Sequence, residues 1–318
     1  MLTLPEKLIF TAGLIFALFL AWKAYQQLRA LFNRAGGFGW PLQENSLQRS
    51  IYNSLSLAPV FRDRFPASVM HALVAWGFLY FLLVNAADLL EGFLPGYHFL
   101  GQGTAGNVYR LFADISSAAV IAGMAALLLR RFVLKPPGLM IRENTYVSEK
   151  ARSGIPRDSL IVGLFILFHV GSRLLGASIL TALRGPDFWQ PAATALGAVW
   201  SGTAPGTLEF GQHVFWWAAI GSILAFIPYF PHSKHFHLII TPLNYLLAPS
   251  RRSPGEMLPL DMEDESIEQF GATSIEDLSA SALMDAYACI MCNRCQDACP
   301  AYQTGKILSP AALEINKR

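Results

Sequence analysis

Five stretches of this chain, 8–31, 67–90, 108–134, 159–183 and 208–230, are apolar over a length that can cross a lipid bilayer, for which roughly 20 apolar residues are needed. That feature constrains the fold more than any other. Inside hydrocarbon every backbone N–H and C=O must be paired within the chain, and only helices and closed barrels achieve this. The segments are apolar around most of their circumference, carry scattered Gly and Ala, and lack the alternation of barrel strands. They predict helices packed in lipid. Composition agrees, with 53% hydrophobic and 14% charged residues, against about 25% charged in soluble domains. A net charge of +2 says nothing about nucleic acid, and no Lys/Arg run suggests it as a partner. The first segment differs from a secretory signal: Glu6 and Lys7 flank it, no small-residue cleavage site stands out, and Lys23 and Arg29 follow. It predicts a retained helix.

Loop charge predicts orientation. Arg34, Arg49, Arg62 and Arg64 lie between the first two segments. Arg130, Arg131, Lys135, Arg142, Lys150, Arg152 and Arg157 lie between the third and fourth. The second loop has no Lys or Arg from Glu91 to Asn107, and the fourth has only Arg184. Basic loops stay in the cytoplasm, so the N-terminus is expected outside and the C-terminus inside.

All four cysteines fall in "ACIMCNRCQDACPAY", where Cys289, Cys292, Cys295 and Cys299 make C-x2-C-x2-C-x3-C before Pro300. That spacing holds [4Fe–4S] clusters in bacterial ferredoxins, and in two-cluster ferredoxins the fourth cysteine ligates the other cluster. In a reducing compartment such cysteines read as metal ligands rather than disulfides. No second run is present. Three ligands would then serve one cluster and Cys299 another, so the segment reads as incomplete, either truncated or completed by a partner subunit. A compact single-cluster arrangement using all four cysteines is the alternative. Around the run, 249–262 (PSRRSPGEMLPLDM) reads as a linker. Ser279 or Ser281 can cap a helix before the cysteines, and Ser309 with Pro310 opens another after them. The expected division is 1–248, a five-helix membrane domain, and 249–318, a cytoplasmic linker with a partial ferredoxin-like, α-helical iron–sulfur segment. The fold class is thus an all-α membrane protein.

Seven histidines supply the other candidates. Ionisable groups in membrane helices are costly and by default face a site inside the bundle. His71 sits near the inner end of the second segment, His169 near the middle of the fourth, and His213 near the outer start of the fifth. His232, His235 and His237 follow its inner end. Histidines at two depths on different helices suit two b haems, each needing an axial imidazole on both faces. The expected pairs are His169 with His213 for an outer haem, and His71 with His235 for an inner one. His237 is the alternative inner ligand, and the choice among His232, His235 and His237 stays open. Arg173, one turn past His169, either meets a haem propionate or forms a buried ion pair with Asp88 or Asp114. His98 reads as a surface residue. Zinc fits less well, because these histidines lack carboxylate or thiolate co-ligands at metal spacing.

Histidine-bearing helices followed by "PHSKHFH" and "DAYACIMCNRCQDACPAYQTGKILSPAAL" resemble the N-terminal half of membrane-bound iron–sulfur oxidoreductases of the heterodisulfide-reductase type. The membrane part is similar to the gamma subunit of respiratory nitrate reductase, a five-helix dihaem cytochrome b. The resemblance implies electron transfer in a prokaryotic inner membrane, between a cytoplasmic donor and menaquinone or another quinone. The donor it implies is electron-transfer flavoprotein or an iron–sulfur subunit. Two departures stand out: the second helix has one histidine instead of two, and the second ferredoxin run and CCG domains are missing. The expected function is a membrane-bound, quinone-linked oxidoreductase component, with the quinone reacting at the outer edge near Arg110 and Asp114. No catalytic residue is assigned. A quinol-oxidising conduit feeding a cytoplasmic reductase is the alternative direction, and a haem-free anchor for a soluble iron–sulfur partner is the reading from another class.

Overall fold

The computed structural model describes residues 2–36, 44–247, 261–266 and 271–318, and these are helical with no strand among them. The long helices are α1 (Leu4–Arg34), α4 (Phe65–Phe93), α5 (Thr104–Leu129) and α6 (Glu149–Arg184). Between the first two lie α2 (Ser46–Ser56) and the single turn α3 (Ala58–Phe61). A short α7 (Pro191–Gly197) precedes α8 (Pro205–Trp216), which continues through a π-turn, Trp217–Gly221, into α9 (Ser222–Tyr229). The remaining helices are α10 (His237–Leu247), α11 (Ala280–Ala288), α12 (Arg294–Ala298), α13 (Pro300–Gln303) and α14 (Pro310–Asn316). Five helical stretches are long and apolar enough to cross a membrane: Leu4–Arg34, Phe65–Phe93, Thr104–Leu134, Glu149–Arg184 and Pro205–His232. Each contains one of the expected segments. Most of the expected linker, 249–260, lies outside the described residues, as does the expected 248/249 boundary.

The chain divides into two compact units. The first comprises Met1–Lys23, Val60–Met140 and Ser153–Ser233. Its core is drawn from α4 (Phe81, Val84, Ala87), α5 (Tyr109, Ala113, Val120, Met124) and α6 (Val162, Ile166, Val170). Helices α4 and α5 approach closely because glycines remove side chains at the crossing. A Cβ on Gly77 would sit 2.2 Å from Val120 Cγ2, and one on Gly123 would sit 2.7 Å from the Met70 carbonyl oxygen. Small residues at such crossings let helices in lipid gain dispersion contact where no hydrophobic drive exists.

Helix α6 zips antiparallel to the last span. Ile179 packs beside Gly211, Gln212 Nε2 donates to the Gly176 carbonyl, Phe165 stacks on Phe226 at 3.9 Å, and Tyr229 donates to Asp158 at 2.6 Å. Asp114 is buried, and its carboxylate accepts from Ala192 N at 2.7 Å and Ala193 N at 2.9 Å. It thereby satisfies two orphan donors at the start of α7 and complements that end's positive charge.

The second unit comprises Ala24–Pro59, Ile141–Arg152 and Lys234–Arg318. Its core joins Ala35, Ile240, Ala280, Leu283, Met284 and Tyr287, with Leu28, Leu31, Phe32 and Phe236 packed against them. The last turns of α1 therefore lie in the core of the unit that carries the cysteines. Ser279 caps α11 by accepting from Ala282 N at 3.2 Å. Ser309 caps α14 by accepting from Ala312 N at 3.2 Å, with Pro310 in the first helical turn. Asn244 Nδ2 ties α10 to α11 through Asp285 at 2.6 Å.

The glycine contacts give a graded expectation. Gly123→Ala meets a backbone oxygen that cannot swing away and is expected to cost about 1–3 kcal/mol, the range for overpacking. Gly171→Ala has nothing within 4 Å of its added methyl and should raise stability by about 0.5–1 kcal/mol through helix propensity. Thermal unfolding of the two variants in detergent checks the difference.

Candidate cofactor sites

In the first unit, the histidine on α6 is anchored at the irregularity in the last span. The Ala219 carbonyl lies in the Trp217–Gly221 π-turn, where the backbone bonds run to a more distant partner, and it accepts two side-chain donors. His169 Nδ1 lies 2.9 Å from it and Ser222 Oγ lies 2.6 Å from it. A carbonyl only accepts, so Nδ1 carries the proton and the lone pair sits on Nε2. That Nε2 is buried and has no hydrogen-bond partner. The ring lies between Phe165, stacked at 5.9 Å, and Phe81, edge-on at 6.0 Å. A neutral imidazole with one nitrogen anchored and the other bare is the state in which histidine ligates a metal.

His213 is held differently. Its Nδ1 donates to the Glu6 carboxylate at 2.9 Å. Glu6 also accepts from Thr3 N and Thr3 Oγ, each at 2.7 Å, and from Trp217 Nε1 at 3.1 Å. A carboxylate behind a histidine fixes the ring and raises the basicity of its other nitrogen. The structure does not bring His169 and His213 together. His169 is level with Ala219, six positions beyond His213, which is about 9 Å along a helix.

Arg173 resolves one of the open readings. Its Nε donates to Asp88 Oδ2 at 2.7 Å, and Trp216 Nε1 donates to the Asp88 carbonyl at 3.2 Å. Asp88, rather than Asp114, is its ion-pair partner. The Arg173 Nη1 is buried without a hydrogen-bond partner. Breaking a buried pair of this kind by removing one member typically costs about 3–5 kcal/mol. Asp88, Arg173, Gln212, His213 and Trp216 line a cavity of about 630 Å³, within the range of roughly 300–1,000 Å³ usual for ligand pockets. His169 is not among its lining residues. Arg110 also lines it, paired with Asp187 at 3.1 Å, and His98 is exposed and lines it too. Asp114 is engaged in the α7 cap.

His71 lies on α4 in the first unit, half-buried. His232 is exposed. His235 and His237 belong to the second unit, their rings edge-to-face at 6.4 Å. Burial, with smaller contributions from His237 and Lys234, pushes His235 down to about 3. Burial also lowers His237, whose Nδ1 donates to the Lys234 carbonyl at 2.6 Å. Both imidazoles are therefore neutral near pH 7.

The cysteines sit on a short irregular segment leading into α12 and α13. Met291 and Asn293 both take left-handed backbone, φ 54° and 61°, which costs non-glycine residues roughly 1–2 kcal/mol each. The surroundings hold this shape. Gln296 is buried, its Oε1 accepting from Ser309 Oγ, and Gln303 Nε2 donates to the Gln296 carbonyl at 3.1 Å. Burial first, then the charges of Cys292 and Cys295, pushes Cys289 up to about 11. Cys295 is raised by burial and by Cys292. Cys299 instead caps α13, its sulfur accepting from Tyr302 N at 3.5 Å. Among the described residues no group of three or more His, Cys, Asp or Glu is gathered closely enough to hold a metal ion. Thiols that burial keeps neutral lose their protons when they bind a metal.

One contributor escaped the sequence reading. Arg142, counted there only for its charge, stacks its guanidinium on the Tyr302 ring at 3.9 Å and donates from Nη1 to the Tyr302 carbonyl. Asn316 Nδ2 similarly donates to the Tyr146 carbonyl at 3.0 Å. The 141–152 segment thus braces the cysteine module, a long-range relation with no local signal.

The described residues form an all-helical architecture with five helices long and apolar enough to span a membrane and a segment that carries all four cysteines. No protein-family model matches the chain, and no solved structure matches it. Two curated proteins are distant relatives. One is the probable iron–sulfur-binding oxidoreductase FadF of Bacillus subtilis, 28% identical over 252 residues, covering 79% of this chain and 34% of FadF. The other is the EtfAB:quinone oxidoreductase of Syntrophomonas wolfei, 27% identical over 248 residues, covering 77% of this chain and 33% of that protein. The chain spans about a third of the length of either relative.

Arg142→Ala removes both a charge-assisted hydrogen bond and a cation–π contact, together worth about 2–4 kcal/mol. The expected result is faster amide exchange across 289–303 with unchanged exchange in α4 and α5, read by mass spectrometry.

Proposed function

We propose that this chain is the membrane electron-transfer part of a quinone-linked oxidoreductase, operating between a cytoplasmic flavoprotein or iron–sulfur protein and menaquinone or another quinone. The observation that carries the reading is the C-x2-C-x2-C-x3-C run on a chain with five candidate membrane spans. The relatives' names support it, one being iron–sulfur-binding and the other linking EtfAB to quinone. Cys289, Cys292, Cys295 and Cys299 are the ligands for [4Fe–4S] iron, Cys299 reaching to a cluster other than the one its three neighbours serve. Its separate engagement with Tyr302 N supports that division.

Two b haems complete the reading. His169 and His213 are the outer ligands and His71 with His235 or His237 the inner ones. The bare Nε2 of His169 and the carboxylate behind His213 support the outer assignments. Arg173 Nη1 is available to a haem propionate, and the quinone is proposed to react at the outer edge that Arg110 helps to form. These groups supply one-electron chemistry, while the chain fixes their places and surroundings.

Pyridine haemochrome analysis of the purified chain is expected to give about two haems per chain. His169→Ala and His213→Ala should each remove the same one. Loss of two different haems would break that pairing, and a folded, haem-free protein would leave only the anchor reading.

Orientation is part of the reading, with the loops after α1 and before α6 in the cytoplasm. Gln48 and Gly103 are both exposed. On intact cells a membrane-impermeant thiol reagent should label Gly103→Cys and spare Gln48→Cys, and the opposite pattern would put the cysteine module outside.

A further inference from the structure

Helix α2 is built inside out. Its outward arc carries Leu47 at 63% exposed, Ile51 at 51% and Tyr52 at 63%, with Gln48 and Leu55 beside them. Its inward arc is polar throughout: Ser46, Arg49, Ser50, Asn53 and Ser54. The polar arc packs on α10, where it serves backbone acceptors. Arg49 Nη2 and Nε donate to the Tyr245 carbonyl at 3.0 and 3.2 Å, and Ser50 Oγ donates to the Pro242 carbonyl at 2.7 Å. Tyr245 lies in the last turn of α10, where carbonyls lack intrahelical partners and favour a cation. In water this arrangement is the wrong way round, since a surface helix turns its apolar stripe to the core.

From this geometry we infer that α2 lies in the membrane interface, its Leu47–Ile51–Tyr52 face bound among phospholipid chains and headgroups. Continuity with the spans carries the choice of lipid as occupant. Residues 24–34 of α1, the end of a candidate span, belong to the same compact unit as α2. Leu28, Leu31 and Phe32 from that end pack in the unit's core, and Phe32 meets Tyr287 at 5.7 Å. A unit whose core contains the end of a membrane-crossing helix lies next to the bilayer. The partner helix α10 also exposes apolar side chains, Ile239 and Leu243. A tyrosine at the edge of the α2 face suits the headgroup level, and an apolar helical face of this size is what holds interfacial helices to lipid. Because α10 packs on α11, and α11 runs directly into Cys289, a lipid-bound α2 fixes the height of the cysteine module above the membrane.

The test uses the full chain in nanodiscs of phosphatidylethanolamine and phosphatidylglycerol, with photoreactive p-benzoylphenylalanine placed singly at Leu47, Ile51, Phe16 and Ile307. Phe16 lies exposed within the first span, and Ile307 lies exposed in the C-terminal segment. Mass spectrometry after illumination should find phospholipid adducts at positions 47 and 51 at least about tenfold above those at 307 and comparable to those at 16, as burial in the interface requires. Lipid adducts no more frequent than at 307 would overturn the inference. So would cross-links from 47 or 51 to a polypeptide, which would show a second copy or a protein partner covering the face. Neither outcome depends on haem or cluster content, so the electron-transfer reading stands or falls separately.

Discussion

The ion pair between Asp88 and Arg173 joins two helices where both charges are largely, though not wholly, withdrawn from water. Desolvating both groups is expensive, and Coulomb attraction offsets that only where geometry and further hydrogen bonds are good. Here the 2.7 Å contact provides the first. The Trp216 indole, donating to the backbone of the same aspartate, brings the last span into the arrangement. Three spans are thereby fixed around one cavity. The position of His213 on its wall follows from that fixation and from Glu6 reaching across from α1.

Local backbone irregularity recurs beside the candidate ligands. The carbonyl that anchors His169, that of Ala219, lies within the Trp217–Gly221 π-turn of the last span. Similarly, the left-handed residues Met291 and Asn293 bend the cysteine segment out of helical register between Cys289 and Cys295. In both places the departure from ideal geometry lies next to the candidate ligands, and the neighbouring side chains hold it.

The five spans were legible because bilayer thickness imposes a length that hydropathy shows directly. The caps at Ser279 and Ser309 were legible because capping is local chemistry. Helices α2 and α10 were not anticipated. The apolar residues of α2 face outward, so its pattern describes its surroundings rather than a protein core, and α10 contains Pro242. The roles of Arg142, Glu6 and Asp114 were equally hidden, since each partner lies far away in sequence. Arg173 was legible as a choice between partners, and only coordinates could select Asp88. The histidines could be listed by depth from the sequence, but the level at which His169 meets the last span depends on a zipper of residues from Ile179 to Asp158 that no spacing rule specifies.

The core of the second unit draws on α1, α10 and α11 together, with the 141–152 segment bracing it from another part of the chain. Its cysteine segment is therefore not a severable module. Cut away as residues 261–318, it would bare Ala280, Leu283 and Met284 to water and lose the side chains that close over them. All five candidate spans precede α10 in the chain, so they are synthesised before the helix on which α11 packs. Assembly of the second unit is thus ordered by synthesis, and a cysteine segment released without α1 and α10 would present an apolar surface with nothing of its own to cover it.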